Sequence, residues 1–276
     1  MKSNIHAGHD AQGKGASGAS SYIDGIGWIH ESIEDRNVKD EVIRLLKEEN
    51  NITYDCTVDS AGTQDKNLSQ IVAKCNAHDV DLDVSIHFNS GRDDEDGDGD
   101  NAGVEVYCYD EKTKDIAERI CKNISKLGFD NRGVKIKKDY YVLRKTKAPA
   151  ILIECCFIDD KDDVLLYKKV GYKAMAKAIV EGILNEKLDN KINSNTSQVS
   201  STNKFKNGDY TGKKARVTAN VLNVRWDRGT NFNIIGKLKK NDVVKLNYCM
   251  SGWVSIEGYK GNKGLGYIHT DYIELL

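Results

Sequence analysis

Charge imbalance is missing from this sequence. Its 276 residues carry 41 Lys and Arg against 42 Asp and Glu, a formal net charge of −1. That balance gives no bulk electrostatic pull toward nucleic acid or a membrane surface. Long apolar runs are missing too, and none approaches the roughly 20 residues of a membrane span. The opening Met1-Lys-Ser-Asn-Ile-His6 lacks the apolar core of a secretion signal. Synthesis in the cytoplasm without a signal peptide is therefore expected, and action on an outside target would depend on release through a pore or by lysis. The seven cysteines are odd in number and form no Cys-x-x-Cys; only Cys155 and Cys156 are neighbours. They read as mostly reduced, buried small hydrophobes. Proline occurs once, at Pro149, and no internal repeat is visible.

What is present is ordinary for a soluble globular chain: 30% charged and 39% hydrophobic residues. The length suits one large domain or two smaller ones. Up to residue 187, strand-like and helix-like segments alternate. Asn4–His6, Ile52–Tyr54, Cys56–Val58, Leu82–Ile86, Gly103–Tyr109, Tyr140–Leu143 and Ala150–Ile153 read as strands. Apolar residues at helical spacing predict helices over Val38–Leu46, Leu68–Ala77, Ile116–Leu127 and Val170–Leu184. The interleaving predicts an α/β domain over residues 1–187, with a mixed, mostly parallel sheet flanked by helices. Residues 188–212 open in Asn- and Ser-rich, aperiodic sequence and are expected to form a flexible linker. Residues 213–276 hold short alternating runs broken by Gly and Asn, the pattern of a small all-β barrel of about 60 residues.

One stretch stands out chemically. Ile151-Leu-Ile-Glu154-Cys-Cys-Phe157 is an apolar strand interrupted by a single carboxylate. Buried carboxylates are paired, bound to metal or used in chemistry; the alternative is a strand-end glutamate that reaches water. His9 and His87 each follow a strand, at the carboxyl rim where open α/β sheets bind ligands. Glu31 lies close to a helix N-terminus expected near Asp35. Two histidines and a glutamate with an open fourth position form a catalytic zinc set, and a further carboxylate can serve as base. Spacing alone does not single these residues out. His30, Glu34 and Glu41 compete with Glu31, and no short motif such as His-Glu-x-x-His is present.

Four segments carry a resemblance: Ala7-Gly-His9, Glu31-Ser-Ile-Glu-Asp35-Arg36, Ser85-Ile-His87-Phe-Asn89 and Pro149-Ala-Ile-Leu-Ile-Glu154-Cys-Cys-Phe157. With them, residues 4–187 resemble the zinc-dependent N-acetylmuramoyl-L-alanine amidases of the amidase-3 family, found in clostridial autolysins and phage endolysins. The resemblance implies Zn2+ held by His9, Glu31 and His87, with Glu154 as the catalytic carboxylate. It implies cleavage of the amide between muramic acid and L-alanine in peptidoglycan. Asp35 stands where family members often have Asn, and Asp10 follows the first histidine in place of a Gly-rich continuation. A zinc peptidase that cuts the stem peptide, and a wall-binding protein without activity, are the alternatives.

The C-terminal run Arg216-Val-Thr-Ala-Asn-Val-Leu-Asn-Val-Arg225-Trp226, with Trp253-Val and Gly266-Tyr267-Ile268, resembles bacterial SH3 domains of cell-wall enzymes. Trp226, Tyr248 and Tyr259 are candidate wall-binding aromatics, and Trp253 and Tyr267 are expected in the barrel core. Asp94, Asp96, Asp98 and Asp100, with Glu105 at the twelfth place, fit the spacing of an EF-hand calcium loop. The flanking helices are missing, so a solvated acidic loop without Ca2+ is the expectation.

Overall fold

The computed structural model describes residues 1–188, 205–206, 208–229, 232–250 and 252–276. The chain divides into two compact units, Met1–Asn190 and Lys191–Leu276. Of the expected linker, residues 189–204 and 207 lie outside the described residues.

The first unit runs β1 (Lys2–Ala7), β2 (Ser20–Ile23), β3 (Gly27–His30), α1 (Glu31–Glu48), β4 (Ile52–Asp55), α2 (Gln64–Cys75), β5 (Leu82–Asn89), β6 (Val104–Cys108), α3 (Lys114–Ser125), β7 (Asn131–Ile136), α4 (Tyr141–Lys145), β8 (Ala150–Phe157), α5 (Lys161–Val170) and α6 (Tyr172–Leu184). Six strands form one sheet in the order β4-β1-β5-β8-β6-β7. Only the β6–β8 pairing is antiparallel; the others are parallel. This is the expected mixed, mostly parallel sheet.

Both faces of the sheet are covered, which is why its central strands are buried almost throughout. On one face Ile5, Val84, Ile86, Val106, Ile151 and Ile153 join a core with the apolar stripes of α1, α3 and α6. On the other, Leu152 and Ala150 meet Ile71, Val72 and Cys75 of α2 and Val142 and Leu143 of α4. Because side chains alternate along a strand, Glu154 shares the second face with Ala150 and Leu152, and His87 shares it with Ser85.

Three local expectations fail. Tyr140–Leu143 is not a strand; its apolar pair Val142 and Leu143 is buried from the short helix α4. A short apolar run fits either state until its packing is known. Cys56–Val58 is not a strand either. Cys56 N–H still donates to the Ile5 carbonyl of β1, but past it the backbone leaves the ladder, and the Val58 carbonyl accepts from the Asn67 side chain. Finally, α1 starts at Glu31, not near Asp35. Its first turn, with buried Glu31, Ser32, Glu34 and Asp35, carries no apolar period to read.

The second unit contains β9 (Gly208–Asp209), β10 (Lys214–Val217), β11 (Val221–Arg225), β12 (Ile234–Lys239), β13 (Val243–Met250), β14 (Trp253–Ile256), β15 (Gly266–His269) and β16 (Ile273–Leu275). They pair antiparallel in the order β12-β11-β15-β14-β13-β10-β16, with β9 on β13. Val217, Val224, Leu246, Val254 and Ile268 fill the interior. Trp253 and Tyr267 are buried as expected, whereas Trp226 and Tyr248 are exposed. The Tyr259 ring lies over Gly236 and Gly266, where an added Cβ would come within 2.4 and 2.8 Å of it.

Candidate metal centre

The site is assembled at the carboxyl ends of β1 and β5 and the first residue of α1. β1 ends at Ala7, and Gly8 donates its N–H to the Ile86 carbonyl at 3.0 Å, so the chain stays beside β5 as it turns. His9 follows with φ of 57°, a left-handed conformation that non-glycine residues seldom adopt and that clusters at functional sites. Two buried groups hold this turn. Asp10 accepts from Ala61 N–H, Gly62 N–H and the Asn67 amide at 2.7–2.8 Å. Burial alone would raise its pKa, but these bonds outweigh it and bring it below the ordinary value. Arg36 donates to the carbonyls of Gly8 (3.3 Å), His9 (3.1 Å) and Ser32 (3.0 Å), tying α1 to the turn.

Three donors converge. Glu31 Oε1 lies 3.2 Å from His9 Nε2 and 3.0 Å from His87 Nδ1. The two imidazoles meet edge to face with centroids 5.0 Å apart. Ala19 N–H donates to the other Glu31 oxygen at 2.9 Å, and His87 Nε2 is 2.9 Å from the Ser85 hydroxyl. Burial opposes ionisation of Glu31, yet its bonds to His87 and His9 hold its pKa well below the carboxylate range. Burial also lowers the His87 pKa. Behind Ser85, buried His6 is pushed down to about 3, first by burial and then by His87.

Zinc fits this donor set. Ligands about 2.05 Å from a tetrahedral centre stand ~3.3 Å apart, close to the two glutamate–histidine separations. The neighbouring glycines leave no room to spare: a Cβ on Gly8 would fall 2.0 Å from His87 Cε1, and one on Gly18 would fall 2.5 Å from Glu31 Oε2. Ser85 bonds the ring nitrogen of His87 that faces away from Glu31, the arrangement that fixes tautomer and orientation in metal-ligating histidines.

Glu154 stands opposite His87 in the β5–β8 register. Both line a cavity of about 410 Å³, together with His9, Asn67, Leu152 and Tyr140. The Glu154 Oε2 atom is buried and has no hydrogen-bond partner among the described residues. Burial, followed by repulsion from Glu31, Glu105 and Asp35, raises its pKa well above the ordinary value. Its cross-strand neighbour Glu105 is held ionised by bonds from Lys135, Arg132 and the Tyr107 hydroxyl, which outweigh burial and bring its pKa down to about 2.

The competing acids are engaged elsewhere. Glu34 accepts from the Tyr167 hydroxyl (2.9 Å), Lys168 (2.7 Å) and Asn37 (3.1 Å). Glu41 pairs with Arg44, and His30 Nδ1 lies 2.8 Å from the Ser20 hydroxyl. Sequence reasoning left out Ser85, His6 and Gln12, which bonds Ser32 at 2.9 Å. Ser85 alone carried a signal, two residues before His87 on one strand face. The EF-hand spacing is not realised. Glu105 is turned into the sheet, while Asp94 forms a bridge with Asp160, and Asp162 accepts from Gly99 N–H. Asp94, Asp160 and Asp162 gather there beside Arg92, which pairs with Asp160 at 3.5 Å.

Comparison with known proteins supplies the wider context. Residues 4–185 match the family model of N-acetylmuramoyl-L-alanine amidase, and residues 220–274 match that of the bacterial SH3 domain. The chain is 32% identical over 250 residues to an uncharacterized 38.4 kDa protein of Clostridium perfringens, covering 89% of this chain and 69% of that one. The catalytic domain of the CD27L endolysin targeting Clostridia difficile is 30% identical with a TM-score of 0.58, over 68% of this chain and 99% of that domain. The amidase AmiC2 of Nostoc punctiforme is 27% identical with a TM-score of 0.54, over 67% of this chain and 96% of that structure. No helix among the described residues is long and apolar enough to cross a membrane.

Proposed function

The chain belongs to the N-acetylmuramoyl-L-alanine amidase family, and from that membership we propose that His9, Glu31 and His87 hold one catalytic Zn2+ while Glu154 is the general base. Peptidoglycan amidase activity is the family's reaction and this chain's. The bond proposed for cleavage joins the lactyl group of muramic acid to L-alanine. One observation supports the finer assignment: of three converging donors, His9 and His87 line a cavity together with Glu154, a buried carboxylate whose Oε2 has no partner among the described residues.

Zinc held there supplies Lewis-acid polarisation of an amide carbonyl and acidification of water. Glu154 takes a proton from the attacking water and delivers it to the leaving amine of L-alanine. Without the metal, burial raises its pKa above that of an ordinary glutamate. Ser85 and Arg36 hold the His87 ring and the His9 backbone in the orientation the donors require. Leu152, Ile71 and Tyr140 give the cavity an apolar wall beside Glu154, which keeps stray water from the reacting amide.

Residues 1–187 are assigned to catalysis, 188–212 to the linker and 213–276 to wall binding. Trp226 and Tyr248 offer exposed faces to a wall polymer; Tyr259 contributes less, since its ring is occupied by packing. Tethering of this kind raises the local concentration of the catalytic unit at an insoluble substrate. Likeness to the catalytic domain of the CD27L endolysin supports a role in lysing bacterial walls, and we propose that the protein reaches them after release from the cytoplasm.

The test is Glu154→Gln. It is expected to retain the zinc content of the native protein while wall hydrolysis falls by roughly 10²–10⁴, the range for loss of a general base. Hydrolysis close to the native rate would overturn the role of Glu154.

A further inference from the structure

β2 and β3 form a hairpin of their own, separate from the main sheet, with Ser20 opposite His30 and Tyr22 opposite Trp28. Its two faces differ. Ser21, Ile23 and Ile29 point inward and are at most 6% exposed. Ser20, Tyr22, Trp28 and His30 point the other way. Trp28, at 66%, is the most exposed large hydrophobic side chain among the described residues, and Tyr22 is 54% exposed. The row is braced from within. Tyr22 and Trp28 meet edge to face at 5.7 Å, and the Trp28 and His30 rings are parallel within 3° at 6.0 Å. The Ser20 hydroxyl fixes His30 at 2.8 Å. A rigid, solvent-facing row of aromatic rings gains nothing from burial in the fold and marks a surface that meets something else.

Its position says what. Glu31 follows the last residue of β3 directly, so at ~3.3 Å per extended residue the Trp28 backbone lies about 10 Å from that of Glu31. The other strand is fastened to the same residue, because Ala19, just before β2, donates its N–H to Glu31. An amide cleaved at this centre hangs from one sugar of a long glycan strand. Such a strand extends several sugars to either side of the centre, and the hairpin, fastened to Glu31 through both of its strands, stands within that reach. Pyranose rings present flat C–H faces, the natural complement of the negative face of an aromatic ring.

We propose that the outer face of the β2–β3 hairpin, built from Tyr22, Trp28 and His30, is a glycan subsite that takes the amino-sugar rings flanking the muramoyl residue under attack. The subsite rests on the amidase reading. It makes the hairpin a specificity element: it distinguishes a muramoyl-peptide within a chain from one standing alone, and it acts on substrate binding rather than on the chemical step.

The experiment uses the full zinc-loaded chain, the variants Trp28→Ala, Tyr22→Ala and Trp28→Phe, and two substrates. One is solubilised uncross-linked peptidoglycan chains; the other is a single muramoyl-L-alanyl peptide with no neighbouring sugar. Trp28→Ala is expected to raise KM on the chains about tenfold at unchanged kcat, the size of one lost aromatic contact. Its kcat/KM on the single muramoyl-peptide should stay within about twofold of native, and Trp28→Phe should recover most of the KM. An equal loss on both substrates, or no loss on the chains, overturns the subsite. If the native protein releases no L-alanine-ended peptide from the chains, the amidase reading fails, and binding of peptide-free glycan chains tests the hairpin directly. There, about tenfold weaker binding by Trp28→Ala supports the subsite and equal binding overturns it.

Discussion

His87 and Glu154 face each other at the last regular register pair of the parallel β5–β8 ladder; the next pair, Asn89 with Phe157, comes only after a slip. β8 spends one more residue than β5 across that slip. Bulges of this kind re-aim side chains beside active sites. Here the regular register breaks just after it has brought a histidine from the donor set next to the unsatisfied carboxylate.

The first consequence concerns stability. The Glu154 pKa is raised in the folded protein, chiefly by burial. Below the unfolded value of ~4.5 the carboxyl is protonated in both states and costs nothing. As pH rises above that, the unfolded chain ionises while the native protein resists, so native stability declines. Glu154→Gln removes the penalty. In the metal-free protein its unfolding midpoint should match native at pH 4 and exceed it by a few degrees at pH 7, as for ~1 kcal/mol or more. Thermal unfolding in the presence of a chelator, across that pH range, measures it; coincident curves would contradict the account.

Ser85 acts through His87. Its hydroxyl is the partner of the imidazole nitrogen that faces away from Glu31. Ser85→Ala should weaken zinc affinity by roughly 10–100-fold, the usual cost of losing such a partner. Competition with a calibrated chelator reads this directly, and native affinity in the variant would remove Ser85 from the site.

His6 predicts an acid limb. Folding lowers its pKa from 6.5 to about 3. Between those values the unfolded chain binds a proton that the native state excludes. The stability contributed by neutral, buried His6 is therefore complete above about pH 6.5 and is lost as pH falls toward about 3. His6→Leu should flatten the fall of the unfolding midpoint between pH 6.5 and 4. Parallel native and variant curves would show that another group sets the acid limb.

Much of the fold was legible because the central strands and long helices obey simple periods. β5 alternates buried apolar and polar positions, and α3 presents Ala117, Ile120, Cys121 and Ile124 on one side. What escaped was short or polar. The β2–β3 hairpin has strands of four residues, each with a single inward isoleucine or a serine–isoleucine pair, too few to set a pattern. α4 offered only Val142 and Leu143, and packing against α2 decided its state. α5 carries one local signal, its N-cap, where Asp160 accepts from Asp163 N–H. The donors His9, Glu31 and His87 lie far apart in sequence, so no spacing rule joins them; the motif segments did. Arg36 belongs to one of those segments, but its hold on the Gly8 and His9 carbonyls exists only once α1 has docked.

The most direct measurement is mass spectrometry of peptides released from purified peptidoglycan by the zinc-loaded native chain and by Glu154→Gln. The account predicts peptides with new L-alanine amino termini from the native chain, intact muramoyl residues left in the glycan, and almost no release by the variant. New ends inside the stem peptide, or equal release by the variant, would contradict it.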